Sequence, residues 1–201
     1  EIIMDFTRLN NGSQPSLNLS KGNVLDLTKQ APALKNCVLG GGWDMAVAGP
    51  TADLDLAAFL IEDSGRVTQV PQDVIFFNNM SAPGIRLEGD NRTGEGDGDD
   101  ERIQINLDAI EPRITRIIFF MTIFEAVSKK QTFGMIKNAF VRLLDADNND
   151  AEICRYQLTD NYSADTAVTA CSLNRGPNGW QFEAIGEGTI ADLNGLLSRY
   201  M

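Results

Sequence analysis

The chain has 201 residues, 28 of them acidic and 17 basic, with no histidine, a formal charge of −11 and 43% apolar residues. That length and apolar share suit one folded domain with a sizeable core and exclude a chain too polar to fold. The absent histidine excludes Ser-His-Asp and Cys-His relays, a histidine general base and imidazole zinc sites. The acidity argues against nucleic acid and anionic membrane surfaces as partners, because both are bound mainly through Lys and Arg.

Residues 1–16 carry little pattern and are set apart as an N-terminal extension; 17–201 form the domain. Short strands are predicted over 17–19 and 24–27, broken by Lys21-Gly22, and over 36–47, loosened by Gly40-Gly41-Gly42. The run DLDLAAFLI at 53–61 is a further strand, followed by 74–77, 103–107 and 114–124. The series closes with 139–144, 153–158, 166–171 and 180–185. One short helix is expected over 127–136. Another closes the chain, with Ile190, Leu193, Leu196, Leu197 and Tyr200 on one face of period 3.6. The class is therefore mainly β: a β-sandwich of two packed sheets with a short helix and a C-terminal helix capping it.

Cys37, Cys154 and Cys171 form no C-x-x-C pair and read as buried thiols in a reducing compartment. No run approaches the ~18 apolar residues of a membrane helix, so no direct membrane insertion is expected. No signal peptide is visible, and the cytoplasm is the expected location.

The acid is concentrated. Residues 88–101 hold Glu88, Asp90, Glu95, Asp97, Asp99, Asp100 and Glu101 against Arg92 alone, a local charge of −6, with Gly89, Gly94, Gly96 and Gly98 between them. A loop of this kind can wrap a hard cation with carboxylate and carbonyl oxygens, and calcium tolerates such a cage better than magnesium does. The competing reading is a solvated acidic loop without a ligand. No EF-hand register fits, since glycine and acceptor positions fall on Arg92, Glu95 or Arg102. The run Asp145-Ala146-Asp147-Asn148-Asn149 reads as a polar turn between strands. Asp53 and Asp55, two apart on a strand, share a face while Leu54 and Leu56 enter the core; the paired carboxylates repel unless a cation lies between them. Asp44 and Asn78-Asn79 are further oxygen donors at strand ends, or an edge polar residue and a turn respectively.

The string Gly89-Asp90-Asn91-Arg92-Thr93-Gly94-Glu95-Gly96-Asp97-Gly98-Asp99-Asp100-Glu101 resembles the signature loop of the TerD family of tellurium-resistance and stress-response proteins. Gly42-Trp43-Asp44 with Asp53-Leu54-Asp55, Ile75-Phe76-Phe77-Asn78-Asn79, and Phe133-Gly134 with Ala139-Phe140-Val141-Arg142 resemble other family segments in order. The resemblance implies a β-sandwich binding calcium, two ions, at one end of the sheets. The implied ligands are Asp53, Asp55, Asn78, Asn79, Asp90, Asp97, Asp99, Asp100 and Glu101, with Asp44 nearby. It also implies other stress and tellurium-resistance proteins as partners, in a membrane-associated complex, and no catalytic activity. The chain departs from the family at Phe124-Glu125-Ala126, where a histidine is usual, and over 170–179.

Three functions compete. A calcium-binding module would have its loop ordered by the ion and read by a partner. A metal-dependent phosphoryl-transfer or hydrolytic enzyme would use the same carboxylates, but no nucleophile motif or Walker-type loop accompanies them. Direct capture of tellurium by the cysteines would need exposed thiols of lowered pKa.

Overall fold

The computed structural model describes residues 15–46, 52–88 and 98–201. Within them the chain runs β1 (Leu17–Leu19), β2 (Val24–Asp26), α1 (Leu27–Gln30), β3 (Asn36–Met45), β4 (Leu54–Glu62), β5 (Val74–Ile75), β6 (Ser81–Ala82), β7 (Ile85–Glu88) and β8 (Glu101–Asn106). It continues through β9 (Ile114–Ile123), α2 (Ala126–Lys129), β10 (Ile136–Asp145), β11 (Ala151–Gln157), β12 (Ala167–Gly176), β13 (Gly179–Thr189) and α3 (Leu193–Leu197). One sheet has the order β1-β11-β10-β3-β8-β7-β6 and the other β2-β13-β12-β9-β4-β5. All pairings are antiparallel except β1 with β11.

Strand alternation explains the layering. Leu39, Leu54, Leu56, Ile103, Ile105, Ile117, Phe119, Val141, Leu143, Leu173 and Phe182 point between the sheets and form the main core. The opposite faces of β4 and β9 carry Ala57, Phe59, Ile61, Ile118 and Phe120, which bury under the C-terminal helix at Leu196. Both strands are therefore covered on both sides and read as continuous apolar runs rather than alternating ones. The rings of Phe59 and Phe120 lie 4.5 Å apart, and Tyr200 stands edge-on to them at 5.8 and 6.1 Å. The molecule is a two-sheet sandwich with a third, partial layer over one face.

The expected strands are present, with Leu27 opening α1 rather than ending β2 and with β6 and β7 as strands the sequence pattern does not mark; the two expected helices also differ in detail. The helix expected over 127–136 is a single turn, α2, with Glu125 and Lys130 at its ends in the left-handed region (φ 55° and 53°). Val127 on it is 80% exposed, whereas Phe133 leaves the helix to enter the core beside Tyr162. Burial of Phe133 outweighs the weak propensity of one extra helical turn. Ile190 is exposed, because α3 starts only after the Asp192 cap, whose carboxylate accepts from the Gly195 N–H. The turn at 145–150 is as expected, with Asp145 accepting from the Asp147 N–H.

Candidate metal centre

The C-terminal end of β3, the start of β8, the start of β4 and the end of β9 lie at one end of the sandwich. Gly41 pairs with Glu101, Leu54 pairs with Ile123, and the Leu56 N–H meets the Glu101 side chain. The chain leaving β5 runs toward the same end, since β5 is antiparallel to β4. Topology thus brings together the segments bearing Asp44, Asp53, Asp55, Asn78, Asn79, Asp99, Asp100 and Glu101. Asp90 and Asp97 lie outside the described residues.

Three consecutive acids then go to three different places. Asp99 turns onto the outer face of the seven-stranded sheet. Its Oδ1 accepts from Arg142 Nε at 2.6 Å and its Oδ2 from Arg102 Nη1 at 3.2 Å, with the side chain only 2% exposed. Asp100 accepts from the Trp43 N–H at 2.8 Å, while its own N–H donates to the Gly41 carbonyl. Burial and the nearby charges of Asp44 and Asp99 raise the Asp100 pKa, against the lowering effect of the Trp43 N–H. Glu101 points between the sheets, 3% exposed, and accepts from the Leu56 N–H at 2.5 Å. Because β5 pairs β4 only at Ala58 and Phe59, Leu56 lies past the end of its partner strand, and Glu101 supplies the missing acceptor.

The glycines of β3 make this possible. A Cβ at Gly40 would collide with the Asp99 carboxylate. One at Gly42 would stand 2.5 Å from the Phe140 ring and 2.8 Å from the Gly98 carbonyl. The sequence reads the triplet only as a loosened strand; in the fold it is the floor on which residues 98–100 lie.

Asp55 faces outward from the six-stranded sheet, 8% exposed, and borders a cavity of ≈ 380 Å³ also lined by Phe77, Thr122, Phe124 and Glu125. Asp53 precedes β4, and its carbonyl accepts from the Phe124 N–H. Asp44 accepts from Asn138 Nδ2 at 2.7 Å. Asn79 spends its amide on the Pro71 and Val74 carbonyls, both at 2.8 Å, so it closes the turn after β5; Asn78 is exposed. Among the described residues no three Cys, Asp or Glu side chains converge closely enough to hold a metal. The donor set remains all oxygen and rich in carboxylate, which suits a hard cation.

Arg102 and Arg142 belong to this end of the sheet although the sequence pattern does not point to them. Arg102 also binds Glu88 at 3.1 Å and Asp150 at 2.7 Å, while Arg142 also binds Glu152 at 3.1 Å. The signal was present as Gly40 standing between two arginines in register: Arg142 pairs with Gly40, and Gly40 with Arg102. It becomes readable only once the strand order is known.

The TerD domain family model matches residues 16–200. The chain is 42% identical over 188 residues to the tellurium resistance protein TerD of Serratia marcescens, covering 92% of this chain and 97% of that one. It is 38% identical to general stress protein 16U of Bacillus subtilis (strain 168), over 92% and 97% of the two chains. A crystal structure of a homologue of telluride resistance protein (TerD) from Streptomyces coelicolor A3(2) superposes with a TM-score of 0.62 at 24% identity, over 81% of this chain and 94% of that one. The sandwich, the shared length and the matched family model agree, and the chain belongs to the TerD family.

Proposed function

We propose that this chain is a non-enzymatic calcium-binding protein of a tellurite-resistance and general stress-response system, with two ions held at the acidic end of the sandwich. The observation that carries the reading is the gathering of acid-bearing segments from β3, β4 and β8 at one end, including Asp100, whose charge is already disfavoured by burial and by Asp44 and Asp99. A divalent cation offsets that repulsion with oxygen ligands alone. The names of the relatives, tellurium resistance and stress proteins, support the setting. Ion binding would order the acidic loop and present it to a partner among other stress and tellurium-resistance proteins, in a membrane-associated complex met from the cytoplasm. No described helix is long and apolar enough to cross a membrane.

Tellurium capture by thiols finds no support. Cys37, Cys154 and Cys171 are buried, and burial pushes the first two thiols up to about 12 and the third well above its ordinary value. The test is calorimetric titration of calcium into the metal-free full chain. Saturable binding with a dissociation constant on the order of 10⁻⁷–10⁻⁵ M is expected. Absence of heat and of any melting-temperature shift at millimolar calcium overturns the reading.

A further inference from the structure

Across the outer face of the seven-stranded sheet, Arg155 of β11, Arg142 of β10, Gly40 of β3, Arg102 of β8 and Glu88 of β7 stand in one cross-strand row. Gly40 is the gap in that row, and the carboxylate of Asp99 fills it from above. Arg102 holds Glu88 as well as Asp99, so one guanidinium grips the last residue of β7 and the residue two before β8.

We propose that Asp99 is a positioning residue and not a cation ligand: seated over Gly40 between Arg102 and Arg142, it fixes the path of residues 98–101 so that Asp100 and Glu101 are presented to the ion. The inference rests on the calcium reading for the ion, but the seat itself stands on geometry alone. Each Asp99 oxygen already accepts from a guanidinium, and a divalent cation brought to either would stand within a few ångströms of two positive charges. Residues two apart in regular strand share a face, so Asp99 on the outer face and Glu101 turned inward to the Leu56 N–H require the chain to leave regular strand between them. It bends at Gly98 and Asp100 before β8 begins, and the Asp99 seat and the Asp100 bond to Trp43 hold that bend. Gly98, at φ +113°, makes the turn that lets the chain descend onto β3.

Two substitutions empty the seat by different routes. Asp99→Asn keeps the shape and removes the charge. Gly40→Ala leaves every acid in place and drives a methyl group into the space the carboxylate occupies. Calcium titration of the full chain should give both variants the unsubstituted number of bound ions with affinity weakened about 10- to 100-fold, the usual effect of losing a group that orients ligands. In metal-free protein, hydrogen exchange at the Asp100 amide, which donates to Gly41, should accelerate at least about 10-fold in both. In an Asp99→Ala background, Gly40→Ala should add nothing, because the atoms it strikes are gone. Loss of one ion in Asp99→Asn but not in Gly40→Ala would make Asp99 a ligand and overturn the proposal. So would an unchanged Asp100 exchange rate in both variants. A flat calcium titration of the unsubstituted chain overturns the calcium reading alone; the exchange measurement then still decides the anchor.

Discussion

Glu152 offers a quantitative test of the arginine row. Its carboxylate, 22% exposed, receives hydrogen bonds from Arg155 at 2.9 and 3.2 Å, from Arg142 at 3.1 Å and from Ser16 at 2.7 Å. Burial alone would raise its pKa, but these donors outweigh burial and hold it at about 2, against 4.5 for an unperturbed glutamate. The sign follows from linkage. As the pH falls, the unfolded chain takes up the proton first, so the stabilisation is complete above pH 4.5 and drains away toward pH 2. A shift from 4.5 to about 2 corresponds to about 3 kcal/mol at neutral pH, of which about 2 kcal/mol is lost by pH 3. Glu152→Gln should therefore be about 3 kcal/mol less stable than the unsubstituted protein at pH 7 and about 1 kcal/mol less stable at pH 3. Urea unfolding at the two pH values measures the gap. The other carboxylates titrate in both proteins and cancel in the comparison. A gap of equal size at pH 7 and pH 3 would refute the assignment of this stabilisation to the ionised Glu152.

Two further outcomes follow from the layers. Phe59→Ala should cost about 3–5 kcal/mol in urea unfolding, by leaving a cavity against Phe120 and Tyr200, and should speed amide exchange in α3; unaltered exchange there would show that the outer layer does not hold the helix. The three cysteines should react with a thiol-specific disulfide reagent at pH 8 only as fast as the protein unfolds, because each is buried and protonated; one thiol labelled within minutes in the native protein would contradict this.

The strand series was legible because its cues are local. Apolar alternation in 103–107 marks β8 directly, and Asp and Asn in 145–150 mark a turn without reference to the rest of the chain. The run at 53–61 is a strand although it does not alternate fully, and the fold gives the reason: α3 covers the face that would otherwise be polar. The helix expected over 127–136 stops after one turn, because Phe133, which looks like part of an apolar helix face in the sequence, belongs to the core. The candidate acids were legible as a group through charge density and through likeness to the family loop. Their individual directions were not, because Asp99, Asp100 and Glu101 differ only in which strand lies beside each, and strand order is a long-range property.

That difference in direction changes what the acidity of 88–101 means. Of its seven acids, Glu88, Asp99, Asp100 and Glu101 lie in described residues. Glu88 and Asp99 both lean on Arg102, and Asp99 leans on Arg142 as well, so two of the four charges are matched by arginines on the sheet. Arginine is suited to this work, because its planar fork can hold two carboxylates at once where a lysine would offer a single point charge. The repulsion that a dense acidic loop would otherwise suffer is thus relieved at its neck by side chains from β8 and β10. Asp100 and Glu101 accept from backbone N–H groups, those of Trp43 and Leu56, which orient each carboxylate. Arginines thus hold Glu88 and Asp99 at the neck while backbone N–H groups orient Asp100 and Glu101, and under the proposed function those two oriented acids are the ones offered to a cation.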